Sequence, residues 1–403
     1  MKALLLIIIS ISITKIIPQD VGISLSGFVK TDIIFDSRQT VSLREGHFLL
    51  YPQPEKLDLN NNDVNAKANF NILSIQTRLS GKIKGPKAFE SESSGYIEAE
   101  FFGTSDGDIN GLRLRHAFVK FDWGKTFLLV GQTWHPLFID EVFPGVVSFN
   151  TGAPFQPFSR NPQIRLSHKF DNFRLILTAA SQRDFTSSGP EGFSSSYLRN
   201  SLIPILNANI QFVKDVNNLF GVGVDYKKII PRIVTSKNFV TDISISTLSI
   251  TGYVKLNPKP FLLKSQVVYG YNLSDLMMLG GYAVRSINQT DGKEEYTGIK
   301  VLSFWGEIIY GKEIEYGLFI GYSKNLGADD IISGAYYGRS TNIDKIYRIS
   351  PRVQYNSGNS RISTELEYTS AYYGINDNLN KGKVINSKSF NNLRFLVAVY
   401  QFF

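Results

Sequence analysis

The segment Leu393 to Phe403 reads Leu-Arg-Phe-Leu-Val-Ala-Val-Tyr-Gln-Phe-Phe. A strand sends successive side chains to opposite faces, so Leu393, Phe395, Val397, Val399 and Phe403 share one apolar face while Arg394 lies on the other. A strand needs this pattern when one face meets lipid and the other a wet lumen. Such a strand, ending on phenylalanine, is expected to close an antiparallel β-barrel of the bacterial outer membrane.

The same alternation recurs upstream in segments of about 10 residues. It is clearest at Ile23/Leu25/Gly27/Val29, Leu73/Ile75/Thr77/Leu79, Phe173/Leu175/Leu177/Ala179 and Val267/Tyr269/Tyr271. Turn formers mark seven short connections: Gly85-Pro86, Gly124-Lys125, Asp171-Asn172, 216–218, 257–260, Gly311-Lys312 and 356–359. Between them fall eight longer ones, near 36–63, 104–110, 135–160, 184–202, 229–241, 273–295, 324–344 and 373–388. Seven short and eight long connections join about sixteen strands, an even number with both ends on the short-turn side. The fold expected is therefore all-β, a transmembrane antiparallel barrel. Phe121 and Trp123 beside the Gly124 turn would belong to an aromatic girdle. A soluble sandwich or propeller also alternates, but would not keep its outward positions apolar in segment after segment.

After residue 20 no run of about 18 apolar residues could form a membrane helix. The chain has no cysteine, so an exported protein of this size must be held by a large hydrogen-bonded sheet. Its 29 Phe and 20 Tyr suit pleated surfaces and membrane interfaces. Met1-Lys2 followed by the apolar run Ala3 to Ile13 reads as a signal peptide, residues 1–18, leaving 19–403 as one barrel domain. The alternative is an uncleaved anchor, because no small-residue cleavage pattern is present. The formal charge of +8 contains no basic run or nucleic-acid motif, so nucleic acid is not an expected partner.

Placing apolar residues outside assigns the opposite parity to the lumen. Arg78, Arg113, Arg115, Arg165, Arg348, Arg352 and Arg394 then line the pore, alongside carboxylates such as Glu98, Glu100, Glu307, Glu365 and Glu367. The connection 135–160 is long and rich in Phe, Pro and Gly, apolar for a segment facing water. Folded inward, it would form a constriction. Asp140 and Glu141, with Arg160 at its end, would face a basic patch of Arg113, Arg115 and Arg165 and set up a transverse field. The plainer alternatives are a loop that caps the barrel or meets another subunit, and arginines that are ordinary solvated lumen residues.

Catalytic motifs are missing: no G-x-S-x-G, no H-E-x-x-H, no phosphate-binding Gly-Lys-Ser and no cysteine. His116 and His168 fall on the parity assigned to lipid or subunit contact, which disfavours a catalytic base. Asp106, Asp108 and Asn110 match the opening of a calcium loop, but its twelfth position is Ala117 rather than Glu, so a turn is expected and no metal. No cofactor is implied.

The segments Leu112-Arg113-Leu114-Arg115-His116-Ala117-Phe118-Val119, Val130-Gly131-Gln132-Thr133-Trp134-His135 and Asn161-Pro162-Gln163-Ile164-Arg165 together resemble the DcaP-like outer-membrane porins. In that family a Leu-Arg-His-Ala-Tyr-Val segment precedes a Gly-Gln-Thr turn and an Arg-bearing strand. The match covers about residues 112–170; Phe118 stands where the family often has Tyr, and the coiled-coil segment many members carry is missing, so no role of that extension is implied. The resemblance implies a sixteen-stranded barrel, commonly a homotrimer, that passes small negatively charged organic solutes, with Arg113, Arg115 and Arg165 matching the basic motif. A passive porin with a modest anion preference is therefore expected. The alternatives are a surface adhesion or structural barrel with a closed lumen and partner-binding loops, and an outer-membrane hydrolase.

Overall fold

The computed structural model describes residues 21–403. The leader expected at 1–18 lies outside the described residues. Among these residues, sixteen antiparallel strands form the barrel wall. The first four are β1 (Gly22–Asp36), β2 (Asn69–Leu73 and Arg78–Lys84), β3 (Glu92–Glu100) and β4 (Arg113–Asp122). Next come β5 (Thr126–Trp134), β6 (Arg160–Phe170), β7 (Phe173–Ala180) and β8 (Ile205–Asp215). They continue with β9 (Asn218–Ile229), β10 (Ile245–Leu256), β11 (Phe261–Tyr271) and β12 (Glu294–Gly311). The wall ends with β13 (Ile314–Gly327), β14 (Ile343–Ser357), β15 (Ser360–Asp377) and β16 (Lys383–Phe402).

Each strand pairs with its neighbour in sequence, and β16 returns to β1 in a register running from Phe28 opposite Phe402 to Asp36 opposite Arg394. Closure removes every free edge, the condition for strands to cross lipid. The C-terminal strand thus has the role its alternation indicated: Leu393, Phe395 and Val399 are exposed on the outside, while Arg394, Leu396 and Ala398 are buried inside.

The seven short connections occur where turn chemistry placed them. Seven of the eight long ones do as well, with boundaries shifted by a few residues. The eighth is a correction: only residues 378–382 separate β15 from β16, and these strands extend to 18 and 20 residues. Residues in the expected loop 373–388 alternate as polar strand, because a strand continuing above the membrane meets water on both faces. By contrast β3, β4 and β5 span only 9, 10 and 9 residues, close to the minimum for a crossing. The wall is therefore low on one side and tall on the other. Near the short turns, Phe121, Trp123, Phe173, Phe212, Phe220 and Tyr310 form part of an aromatic belt, with ring pairs such as Phe173–Phe212 at 5.4 Å and Phe212–Phe220 at 5.1 Å.

The apolar core lies inside the barrel. The first long connection carries a hairpin of Thr40–Leu43 and Phe48–Pro52 that turns into the lumen. Phe48, Leu49, Leu50 and Tyr51 are each at most 2 % exposed. Phe48 packs on Phe149 and Phe158 of the 135–159 connection, and Leu276 and Met277 of the 272–293 connection join the same cluster. Short apolar runs inside polar loops, such as Phe48-Leu49-Leu50-Tyr51, are the signal of this inward packing.

Candidate functional site: the lumen and its inward loop

The 135–159 connection crosses the lumen and is fixed to the far wall through its backbone. Gly145 N–H donates to Glu307 of β12 at 2.9 and 3.0 Å, and Val147 N–H to Glu365 of β15 at 2.6 Å. The Asn150 side chain donates to Glu367 at 2.9 Å. Cations of the wall grip its carbonyls: Lys30 holds Val147 O at 3.0 Å, Lys264 holds Phe143 O at 3.0 Å, and Arg348 holds Ala153 O at 2.8 Å. Carboxylates accepting main-chain N–H groups make charge-assisted bonds, stronger than neutral ones, so the loop is pinned at several points.

Beneath this loop the strands β1 to β6 enclose a cavity of about 660 Å³, to which β14 to β16 also contribute. Arg78, Arg115, Arg165 and Arg361 line it, opposed by Glu98 and Asp140. Four guanidiniums against two carboxylates leave an excess of two positive charges. Arg361 at the start of β15 was not singled out in the sequence; its even distance from Glu365 and Glu367 gives it their parity, which is the signal that could have found it.

The expected basic patch of Arg113, Arg115 and Arg165 is a mixed network in the structure. Arg113 bonds Glu100 at 2.7 Å, and Arg115 bonds Glu98 at 2.6 Å and Glu100 at 2.7 Å. Arg78 reaches Glu100 at 3.2 Å and Arg160 reaches it at 3.7 Å, so this buried carboxylate serves four guanidiniums. Arg160, 1 % exposed, pairs with Asp184 at 2.7 Å beneath the loop and does not border the cavity. Burial works against the charge of Asp184, but Arg160 and Arg113 outweigh it and hold its carboxyl below the ordinary range. Neighbouring strands supply these carboxylates at in-register positions, a pairing that parity alone does not reveal.

Arg165 and Arg361 differ from the others. Arg165 donates to Gln163 Oε1 at 3.1 Å and to the Trp134 carbonyl at 2.9 Å, and Arg361 to Asn356 Oδ1 at 2.7 Å. Neither has a carboxylate within ion-pair distance among the described residues. Of the loop acids, Glu141 pairs with Arg174 at 3.1 Å, while Asp140 opens into the cavity. Enclosure by the barrel, with Glu141 nearby and only Arg165 opposing, pushes the Asp140 carboxyl up to about 6.

Arg348, Arg352 and Arg394 point inward, as parity assigned them, but act as anchors. Arg348 also holds Leu50 O of the first loop at 2.7 Å, Arg352 pairs with Glu307 at 2.5 Å, and Arg394 pairs with Asp36 at 2.7 Å and holds Gly46 O at 2.6 Å. His47 on the same loop donates its Nε2–H to the Asp32 carboxylate at 2.8 Å; burial lowers its pKa below the ordinary histidine range despite that partner.

His116 requires a correction. A β-bulge shifts the register between β3 and β4 at Glu98/Ala99, so Arg115 and His116 both face inward. His116 hydrogen-bonds Thr133 Oγ1 at 3.0 Å and lines the cavity. His168 remains on the outer face, bonded to Thr126 at 2.7 Å. Asp106 and Asp108 form a short 3-10 turn, and Asp106 accepts the Arg44 N–H at 2.7 Å. Among the described residues no acid or histidine cluster suits a metal.

An apolar outer band, a closed sixteen-stranded wall and an inward loop define an outer-membrane β-barrel of the porin architecture. Solved structures agree at the level of fold. The outer-membrane channel DcaP of Acinetobacter baumannii superposes with a TM-score of 0.70 at 15 % identity, over 95 % of this chain and 97 % of that one. The trimer form of Vibrio cholerae OmpT gives 0.58 at 10 % identity over 96 % and 100 % of the two chains. The anion-selective porin of Comamonas acidovorans gives 0.56 at 11 % over 95 % and 100 %. No protein-family model matches the sequence, and no curated protein matches it. The DcaP-like resemblance read from residues 112–170 thus extends, as fold, to almost the whole described chain.

Proposed function

We propose that this chain is a passive outer-membrane porin for small hydrophilic solutes, with a modest preference for anionic, carboxylate-bearing ones. The observation that carries this reading is the cavity under the inward loop, where four guanidiniums face two carboxylates and Arg165 and Arg361 have no carboxylate within ion-pair distance. A guanidinium outside any ion pair presents its donor fork to a passing carboxylate. The fold shared with the anion-selective Comamonas porin supports the reading. Diffusion needs no cofactor and no catalysis. A homotrimer is part of the proposal, supported by the likeness to the OmpT trimer form and by the low wall of β3 to β5, against which a second copy would be shielded from lipid.

One observation favours a second reading, a surface barrel with a closed lumen: the apolar cluster of Phe48, Phe149, Phe158 and Leu276 fills space between the inward loops. Swelling of liposomes carrying folded protein separates the two. Swelling in small sugars and faster swelling in small carboxylates support the porin; no swelling in any solute would establish the closed barrel.

A further inference from the structure

Barrel lumens are polar, yet this cavity is bordered by a stack of aromatic rings whose last member is exposed. Trp134 at the end of β5 lies on Phe138 with ring centroids 3.8 Å apart and planes 10° from parallel. Phe138 continues onto Phe143, 5.6 Å away at 27°. All three border the cavity, and Phe143 ends the stack at 39 % exposure. Packing at the base of the stack is accounted for, since Arg115 and Arg160 sit over the Trp134 ring at 5.7 and 5.1 Å. At the tip, Lys264 approaches the Phe143 ring at 5.8 Å, while its ammonium bonds the Phe143 carbonyl. An apolar ring remains presented to an aqueous, positively charged space. Arg165 borders the same space, fixed by the Trp134 carbonyl and Gln163, with Asp140 and Glu141 nearby but outside ion-pair distance.

We infer that this corner is a stacking subsite for aromatic carboxylates: the solute ring lies on Phe143 and its carboxylate accepts from the Arg165 fork. The inference rests on the porin reading and narrows its solute class. Offset stacking extends the Trp134–Phe138–Phe143 series by one ring, and the planar fork of arginine matches a carboxylate in two parallel hydrogen bonds. Aliphatic carboxylates of equal charge gain only the second contact. The subsite therefore discriminates by ring as well as by charge.

Calorimetric titration of the detergent-solubilised full barrel with benzoate and with cyclohexanecarboxylate tests this directly, since the two differ in ring character at matched size and charge. Benzoate should bind about fivefold more tightly, the increment of one aromatic pair. Phe143→Leu, which keeps apolar volume, should remove that difference, Phe143→Tyr should retain it, and Arg165→Gln should weaken both acids. Equal affinity for the two acids, or an undiminished difference in Phe143→Leu, would overturn the subsite. Planar-bilayer conductance of the same preparations separates this from the pore reading: a conducting channel blind to the ring refutes the subsite alone. A non-conducting barrel refutes permeation, and the titration still decides whether the ring-selective site exists.

Discussion

Asp140 gives the most quantitative consequence of the geometry. Its carboxyl, pushed up to about 6, is one of two acids facing four guanidiniums in the cavity. It is about 97 % ionised near pH 7.5 and about nine-tenths protonated near pH 5. Acidification therefore raises the local excess from two positive charges to three. A unit charge about 6 Å from a passing ion acts with roughly 0.7 kcal/mol in water, about 0.4 kcal/mol after screening at about 0.1 M salt. Its removal helps anions and hinders cations alike, so the anion-to-cation permeability ratio should rise about fourfold between about pH 7.5 and 5. The assay is the reversal potential of single channels under a potassium chloride gradient at the two pH values. Asp140→Asn should show the acid-form ratio at both. A wild-type ratio that does not respond to pH, or an Asp140→Asn channel that keeps the whole shift, would refute the assignment of this carboxyl to the ion path.

Four further variants probe other parts of the structure. Arg165→Gln with Arg361→Gln should move the reversal potential toward cations while leaving heat-modifiable migration of the barrel intact, because neither residue has a carboxylate to leave unpaired. Glu365→Leu removes the acceptor of the Val147 N–H, a charge-assisted bond of roughly 1.5–3 kcal/mol, so hydrogen exchange in the 135–159 loop should accelerate; unchanged protection would show that this bond does not hold the loop. Arg394→Ala leaves Asp36 buried without its partner and should cost about 3–5 kcal/mol in urea unfolding. Val397→Arg, on the outer face of the closing strand, should cost about 2–4 kcal/mol in the same assay; a normal unfolding midpoint would contradict the inside–outside assignment.

The barrel was legible because its periodicity is physical: one face of every strand must meet lipid. Leu393, Phe395 and Val399 against Arg394 therefore fixed the closing strand. Asp171-Asn172 and 257–260 fixed turns by their chemistry. His116 escaped because a bulge shifts parity locally without any sequence mark that alternation can detect. The charge partners of Arg113 and Arg115 escaped because Glu98 and Glu100 become neighbours only once β3 and β4 are in register. Inward folding of 135–159 was foreshadowed by its apolar composition, and the first loop carried the same signal in Phe48 to Tyr51, diluted by the polar residues on both sides. The stack of Trp134, Phe138 and Phe143 joins a strand end to a loop, which no fixed period describes.

The central claim is that the lumen beneath the inward loop is a water-filled path whose unpaired arginines favour anions. Folded protein inserted in a planar bilayer under a potassium chloride gradient, read as conductance together with reversal potential, tests it most directly. Stable conducting steps with a reversal potential displaced toward that of chloride are expected. Silence from folded, membrane-inserted protein, or a displacement toward potassium near neutral pH, would contradict it.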